Sequence, residues 1–514
     1  MPSTSGILHK IFLLLAVFLF GSLCADLNPA AAQFRPGFGR FGHPMMAGRF
    51  GPGPTWRGRL PPRYGWRGGG WRYGYPGYPV YPVYPAYPAV PAYPVSHPHR
   101  IAQASPPPTP PVHRRAHGNT GGGHRKIAAA AVRPFVPHEI ITEFAPGASP
   151  QAIARLARRF DLTRVETRNF SLIDGSLTRW RLGNDQTVDD VVDALRHEKI
   201  VTSVQPNYVF TLQEQSITPI LTEGDPAQYV LDKLEVPAAH RLATGKHILI
   251  AVIDSDIDAQ HPDLAGAIVK SFDALGGDAH PHSHGTAMAG AIAAHGKLLG
   301  IAPAAELLSA RAFDDTTGPA HGTSFAIYKS LQWAADNGAR VVNMSFAGPE
   351  DPTLHRLLEA AYQKNMVLVA AAGNAGPKSA PLYPAADPDV IAVTATDTDD
   401  GLYKMANRGS YIAIAAPGVE VLAVAPGKAY ELTTGTSVAA AHVSGIAALL
   451  LERKASLTPA DVRTILMATA KPLGAKDKGT KDQSTAFGAG LADAYHAAMA
   501  PDAAVKPAAV QAKR

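Results

Sequence analysis

The sequence predicts an α/β protein organised around a doubly wound, mostly parallel sheet, with a small α+β unit in front of it and a disordered N-terminal segment before that. Three observations carry this reading. Apolar runs at 248–253, 306–311, 341–344, 367–371 and 390–394 are separated by helical stretches, the pattern of a parallel sheet covered on both faces. Residues 139–210 alternate strand, helix, strand, strand, helix, strand. Residues 34–126 are so rich in Gly, Pro, Arg, Tyr and Trp that they specify no packed core.

Taken in order, the chain of 514 residues opens with an apolar run at 11–23 after Lys10, too short to span a membrane comfortably, followed by Ala30-Ala31-Ala32. We expect a cleaved secretory signal over 1–32, and hence a secreted, periplasmic or cell-envelope protein; an uncleaved anchor is the alternative. Cys24 is the only cysteine, so cleavage would leave neither a disulfide nor a cysteine nucleophile. Residues 33–136 are low in complexity, and Tyr75, Tyr78, Tyr81, Tyr84 and Tyr87 are each followed by proline, which suits polyproline II and forbids helix. Residues 33–137 hold 14 Lys+Arg and no Asp or Glu, whereas the chain beyond carries 33 basic and 41 acidic residues. A basic tail therefore precedes an acidic body; it reads either as a solvated spacer or as a segment that contacts an anionic surface or polymer. Its scattered histidines lack metal-site spacing.

From 137 to 212 the character changes. Glu139 to Phe144 alternates like a strand, Ser149-Pro150 caps and opens a helix, strands follow near 163–169 and 177–182, Thr187 with Asp190 starts a second helix, and 201–210 closes the unit as a strand broken at Pro206. That order suggests a ferredoxin-like domain, and nothing in it looks catalytic. A polar connector leads to the large domain at 225–498, and a tail occupies 499–514.

In parallel sheets reactive groups gather where strands end. Asp254 ends the first run and could orient a histidine, or simply cap a turn. His284-Gly285-Thr286 opens a helix of small residues; His284 reads as a general base, a helix-end histidine, or a metal ligand with His280 and His282. A second His-Gly-Thr at His321 is taken as loop. Asn374 follows Ala371-Ala372-Gly373 and either donates to an oxyanion or caps a turn. Ser437 stands at the first turn of a helix, 438–451, too apolar to have a wet face. Unpartnered N–H groups there favour developing negative charge, which suits an acyl-transfer nucleophile, although a plain N-cap serine fits as well.

The words Ala251-Val252-Ile253-Asp254-Ser255, His284-Gly285-Thr286 with Met288-Ala289-Gly290, Ala372-Gly373-Asn374 and Gly435-Thr436-Ser437 with His442-Val443 and Gly445 resemble those of the subtilisin-like serine proteases, the subtilases. The resemblance covers about 137–498, since the ferredoxin-like unit is similar to the family's inhibitory propeptide. It implies a subtilisin-like fold and a self-processed secreted serine endopeptidase, acting as a monomer on protein or peptide substrates, with its own propeptide as inhibitor. It further implies a triad of Asp254, His284 and Ser437, an oxyanion hole from Asn374 and the Ser437 N–H, and a substrate-pairing segment of Ser345, Phe346, Ala347 and Gly348 beside Gly373.

Departures from the family pattern bear on tuning. Asp256 stands at a usual glycine, with a risk of backbone strain and of a carboxylate near His284. Ala441 stands at a usual proline, and Val438 replaces a common methionine, which predicts peroxide tolerance. The segment 294–300 is short and has no Asp, Asn or Glu, so the family's calcium loop is missing and no cofactor is expected, with calcium elsewhere left open. Two other readings stand beside the protease: a catalytically impaired binding protein whose tyrosine-rich segment does the work, and an acyl transferase favouring amine acceptors.

Overall fold

The computed structural model describes residues 134–213, 228–314, 320–473 and 484–502. The expected signal, the tyrosine-rich segment up to residue 133 and most of the connector lie outside the described residues. A short 3-10 turn, Ala500–Asp502, reaches into the span read as a tail.

The N-terminal unit is built from β1 (Phe135–Phe144), α1 (Pro150–Arg159), β2 (Leu162–Phe170), β3 (Gly175–Leu182), α2 (Val188–Leu195) and β4 (Val201–Leu212). Its strands lie in the order β2-β3-β1-β4, all neighbours antiparallel. Capping chemistry starts both helices: Ser149 Oγ accepts from the Ala152 N–H at 3.2 Å, and Thr187 Oγ1 from the Asp190 N–H at 3.2 Å. Contrary to expectation β4 is not broken at Pro206 but runs through it. Pro206 pairs with Ile140 beside a register slip between Phe135 and Ile140, and at a bulge a missing donor is tolerated. Strand β1 also begins at Phe135, four residues before the Glu139 that the sequence suggested.

Both faces of this sheet contribute to a core, although its edge strand β2 is largely exposed between Leu162 and Phe170. Ile140, Trp180 and Val204 meet α1 and α2, while their neighbours Ile141, Phe170 and Leu177 bury into the core of the following domain with Phe325 and Leu331. Alternation on the strands thus serves two cores at once.

The large domain holds a seven-stranded, all-parallel sheet in the order β14-β13-β12-β10-β5-β7-β6. Its strands are β5 (Leu249–Asp254), β6 (Ile268–Asp273), β7 (Glu306–Arg311), β10 (Val341–Met344), β12 (Val367–Ala371), β13 (Val390–Thr396) and β14 (Ile412–Pro417). Ile250 and Val252 of β5 face the core formed with α3 (Ser283–Ala293) and α6 (Thr436–Arg453). Ala251 and Ile253 face the other side, toward α4 (Ser324–Asp336) and α5 (Pro352–Gln363). Helix α6 is buried from Thr436 to Leu451, as an apolar sequence without a polar face requires. Short strands β8 (Phe313–Asp314), β9 (His321–Thr323) and β11 (Phe346–Ala347) lie beside the site, and β15 (Val421–Ala425) with β16 (Ala429–Thr433) forms a hairpin. His321, expected in a loop, is in β9.

Strand β4 joins the two parts. Its residues Val209 to Thr211 pair antiparallel with β9, and Thr211 and Leu212 pair antiparallel with β11. The end of the N-terminal unit is thereby one strand laid between two strands of the large domain.

Candidate active site

Strand β5 delivers Asp254 to the carboxyl end of the sheet, fully buried, and α3 delivers His284 in its first turn. The Asp254 Oδ1 accepts from the Ser255 N–H at 2.7 Å and lies 2.7 Å from His284 Nδ1. A carboxylate so deep is tolerated because these donors replace water. With Nδ1 bound to an acceptor-only oxygen, the Nε2 edge of the ring is the one left for chemistry.

Helix α6 delivers Ser437, its second residue, and the loop after β12 delivers Asn374. The Asn374 Oδ1 accepts from the Thr436 N–H at 3.1 Å and from Thr436 Oγ1 at 2.9 Å. These two bonds fix which way the amide faces, and its Nδ2 donates to the carbonyl oxygen of Gln213 at 2.8 Å. Ser437 Oγ donates to the same oxygen at 2.6 Å and also reaches Ser345 O at 3.2 Å. The carbonyl that follows the end of β4 therefore lies against both the serine hydroxyl and the asparagine amide. Gly435 makes room for it, since a Cβ there would stand 2.5 Å from Gln213 O.

The segment expected to pair with substrate does so here with the protein's own chain: Phe346 pairs with Leu212 and Ala347 with Thr211. Ser345 O accepts from the Gln213 N–H at 3.4 Å, and Ser345 Oγ donates to Ser437 O at 3.0 Å. Gly348 lies against Phe210, whose ring packs edge-on to Phe346 with centroids 5.9 Å apart; a Cβ on Gly348 would be 2.4 Å from that ring. Gly373 donates its N–H to Thr436 Oγ1 at 3.1 Å, so its contact in this state is with the helix that carries Ser437.

Sequence reading missed Gln213, a plain polar residue at the edge of a connector. It also missed Thr436 as the group that orients Asn374. The strain expected at Asp256 is absent, because the residue is not among those with positive φ; its main-chain oxygen instead accepts from the His282 N–H at 2.9 Å. Burial pushes the Asp256 carboxyl up, with Arg311 opposing.

Asp263 reaches the short segment 294–300, where its Oδ1 accepts from the Lys297 N–H at 3.0 Å and its Oδ2 from the Leu298 N–H at 2.8 Å. Tyr430 OH donates to Oδ1 as well, at 3.2 Å. Among the described residues no cluster of three or more His, Cys, Asp or Glu is arranged to hold a metal ion.

Fold and sequence together define a serine-type endopeptidase, a hydrolase of protein or peptide substrates. The profile of the Subtilase family matches residues 245–490. Thermitase of Thermoactinomyces vulgaris is 35% identical over 288 residues, which are 54% of this chain and 99% of thermitase. Subtilisin E of Bacillus subtilis (strain 168) is 35% identical over 301 residues, 56% of this chain and 75% of that protein. The chain belongs to the subtilase family. In fold it is similar to fervidolysin from Fervidobacterium pennivorans, with a TM-score of 0.59 at 24% identity, over 71% of this chain and 61% of that one.

Proposed function

We infer that this subtilase is exported as an inactive precursor and cuts itself after Gln213. The observation that carries the reading is the Gln213 carbonyl, held by Ser437 Oγ at 2.6 Å and Asn374 Nδ2 at 2.8 Å at the end of an extended strand paired on both sides. Residues 134–213 then act as propeptide and inhibitor, with β4 filling the cleft as product. Export rests on the reading of residues 1–32, which lie outside the described residues, as do 214–227, the remainder of the span in which a cut was expected.

In this mechanism His284 takes the proton from Ser437 Oγ as the oxygen bonds to the carbonyl carbon, and Asp254 holds the imidazole and stabilises its cation. The oxyanion that forms is met by the Asn374 amide, already aimed by Thr436, and by the Ser437 N–H in the first turn of α6. His284 then protonates the leaving amine of Glu214, and water releases the acyl group from Ser437. Other peptides would use the same slot, gripped mainly through main-chain bonds to β9 and β11.

The test is to express the chain with and without Ser437→Ala and sequence the N-termini. A mature form starting at Glu214 is expected from the parent and an uncut precursor from the variant. Equal processing of both would defeat the self-cutting proposal, and failure of the parent to react with a serine-directed fluorophosphonate would favour an impaired binding protein instead.

A further inference from the structure

We propose that His282 is a positioning residue for the general base: its imidazole caps the helix that carries His284, and holds the cap only while Nδ1 is unprotonated. The proposal rests on the reading of Asp254, His284 and Ser437 as the catalytic set.

His282 is the N-cap of α3 and is half-buried, in reach of solvent protons. Its Nδ1 accepts from the His284 main-chain N–H at 3.1 Å and lies 3.1 Å from Ser255 Oγ. Ser255 Oγ in turn accepts from the Gly285 N–H at 3.0 Å and stands 3.1 Å from Asp254 Oδ1, the oxygen that holds His284. One ring nitrogen thus ties together the backbone of the general base and the residue beside its carboxylate. Main-chain bonds fix the ring's origin: the His282 N–H donates to Asp256 O at 2.9 Å, and its carbonyl accepts from Thr286 Oγ1 at 2.8 Å.

Caps are ordinarily Ser, Thr, Asp or Asn, whose oxygens accept at neutral pH without a proton to gain. A histidine in that place accepts only as the tautomer with its proton on Nε2. Protonation turns Nδ1 into a donor facing the His284 N–H, which is also a donor, so that bond is lost and the acceptor left beside the ring nitrogen is Ser255 Oγ, 3.1 Å away. The first turn of α3 then loses its cap at the residue that has to meet Ser437.

The charged groups around the ring come from several elements. Asp254 and Asp256 at the end of β5 are the acidic ones, Asp254 reached through Ser255 Oγ and Asp256 through the main-chain bond to the His282 N–H. Arg311 at the end of β7 and His280 in the preceding loop are the basic ones beside Asp256, Arg311 being paired with Asp273 of β6 and Asp314 of β8. His282 and His284 share one helical turn, so loss of activity in acid becomes a two-proton event.

The experiment is a pH profile of kcat and KM on processed enzyme, with active sites counted by fluorophosphonate titration so that misfolded protein drops out. At neutral pH, His282→Ala is expected to lower kcat roughly tenfold with KM unchanged, and His282→Asn, which keeps an acceptor, to restore it. In acid, log kcat/KM of the parent should fall more steeply than a slope of one over the interval in which His282 takes its proton, by up to about tenfold beyond the profile of His282→Asn, which should keep a slope of about one. An unchanged kcat in His282→Ala, or a His282→Asn profile that superimposes on the parent's, overturns the proposal. Ser437→Ala is run alongside: if it keeps activity, the catalytic reading itself falls, whereas if it is inactive and both His282 variants match the parent, only the role of His282 falls.

Discussion

Two side chains show how much a single polar bond decides here. Asn374 is held by Thr436 before any substrate charge develops, so in the oxyanion role proposed for it its contribution belongs to the transition state. Asn374→Ala should therefore lower kcat by about 10²–10³ with little change in KM, measured on a short peptide. His442 is the opposite case, a titratable group in the middle of α6 whose Nδ1 donates to Pro417 O at 3.0 Å. Burial pushes its imidazole down to about 4, the bond to Pro417 only partly opposing. The unfolded chain, with an ordinary imidazole near 6.5, binds more protons between these values. Stability from this group is thus complete above about pH 6.5 and is lost as pH falls toward 4, by about 2 kcal/mol between pH 7 and pH 5. Urea unfolding of the parent and of His442→Gln at the two pH values should show that drop shrinking in the variant. The residue scale is also where the sequence was least legible: Asp254, His284, Asn374 and Ser437 stand in recognisable words, but Gln213 and His282 gain their meaning only from what the fold brings against them.

At the scale of elements, legibility followed burial. The five strands read from the sequence are all enclosed on both faces, where continuous apolar runs are unavoidable. Strand β6 escaped because it is an edge whose Val269, Lys270 and Ser271 are exposed, and β14 because its Ile-Ala-Ile-Ala-Ala-Pro reads equally as helix. Pro206 misled in the other direction, since a bulge next to it removes the need for its missing donor. Strand β11 supports a prediction of its own. Gly348 has no side chain where Phe210 lies, so Gly348→Val should exclude large aromatic side chains from that position while sparing small ones. Cleavage of peptides with Phe or Ala three residues before the Gln position should shift toward Ala by about tenfold or more, and an unchanged ratio would place the aromatic elsewhere.

Over the whole molecule, two domains that the sequence separates share their cores. The sheet of the N-terminal unit packs into a core on each side, and polar side chains of β4 cap helices of the other domain. Gln205 of β4 donates to Asp351 at 2.9 Å and accepts from Thr353 Oγ1 at 2.6 Å, while Asn207 Oδ1 accepts from the Phe325 N–H at 3.3 Å. Asp351 also takes hydrogen bonds from Ser324 and Tyr328 at 2.6 Å each. The βαββαβ order was legible from alternation and caps, but the partner for Ile141, Phe170 and Leu177 was not, because an alternating strand does not say what covers its second face. Removing one partner of a buried network leaves the others unsatisfied. Gln205→Ala should therefore weaken the grip on β4, and the interval between self-cutting and the appearance of activity should shorten by about tenfold; an unaltered interval would locate the grip in the apolar contacts alone.

The slot between β9 and β11 is one chain wide and asks its occupant for a free edge on either side. A strand already paired in a folded protein has no edges to offer, and a helix cannot present them at all. Susceptibility to this enzyme should accordingly track how readily a target frays: denatured chains would be cut at many points, and compact ones first at loop tips and loose termini.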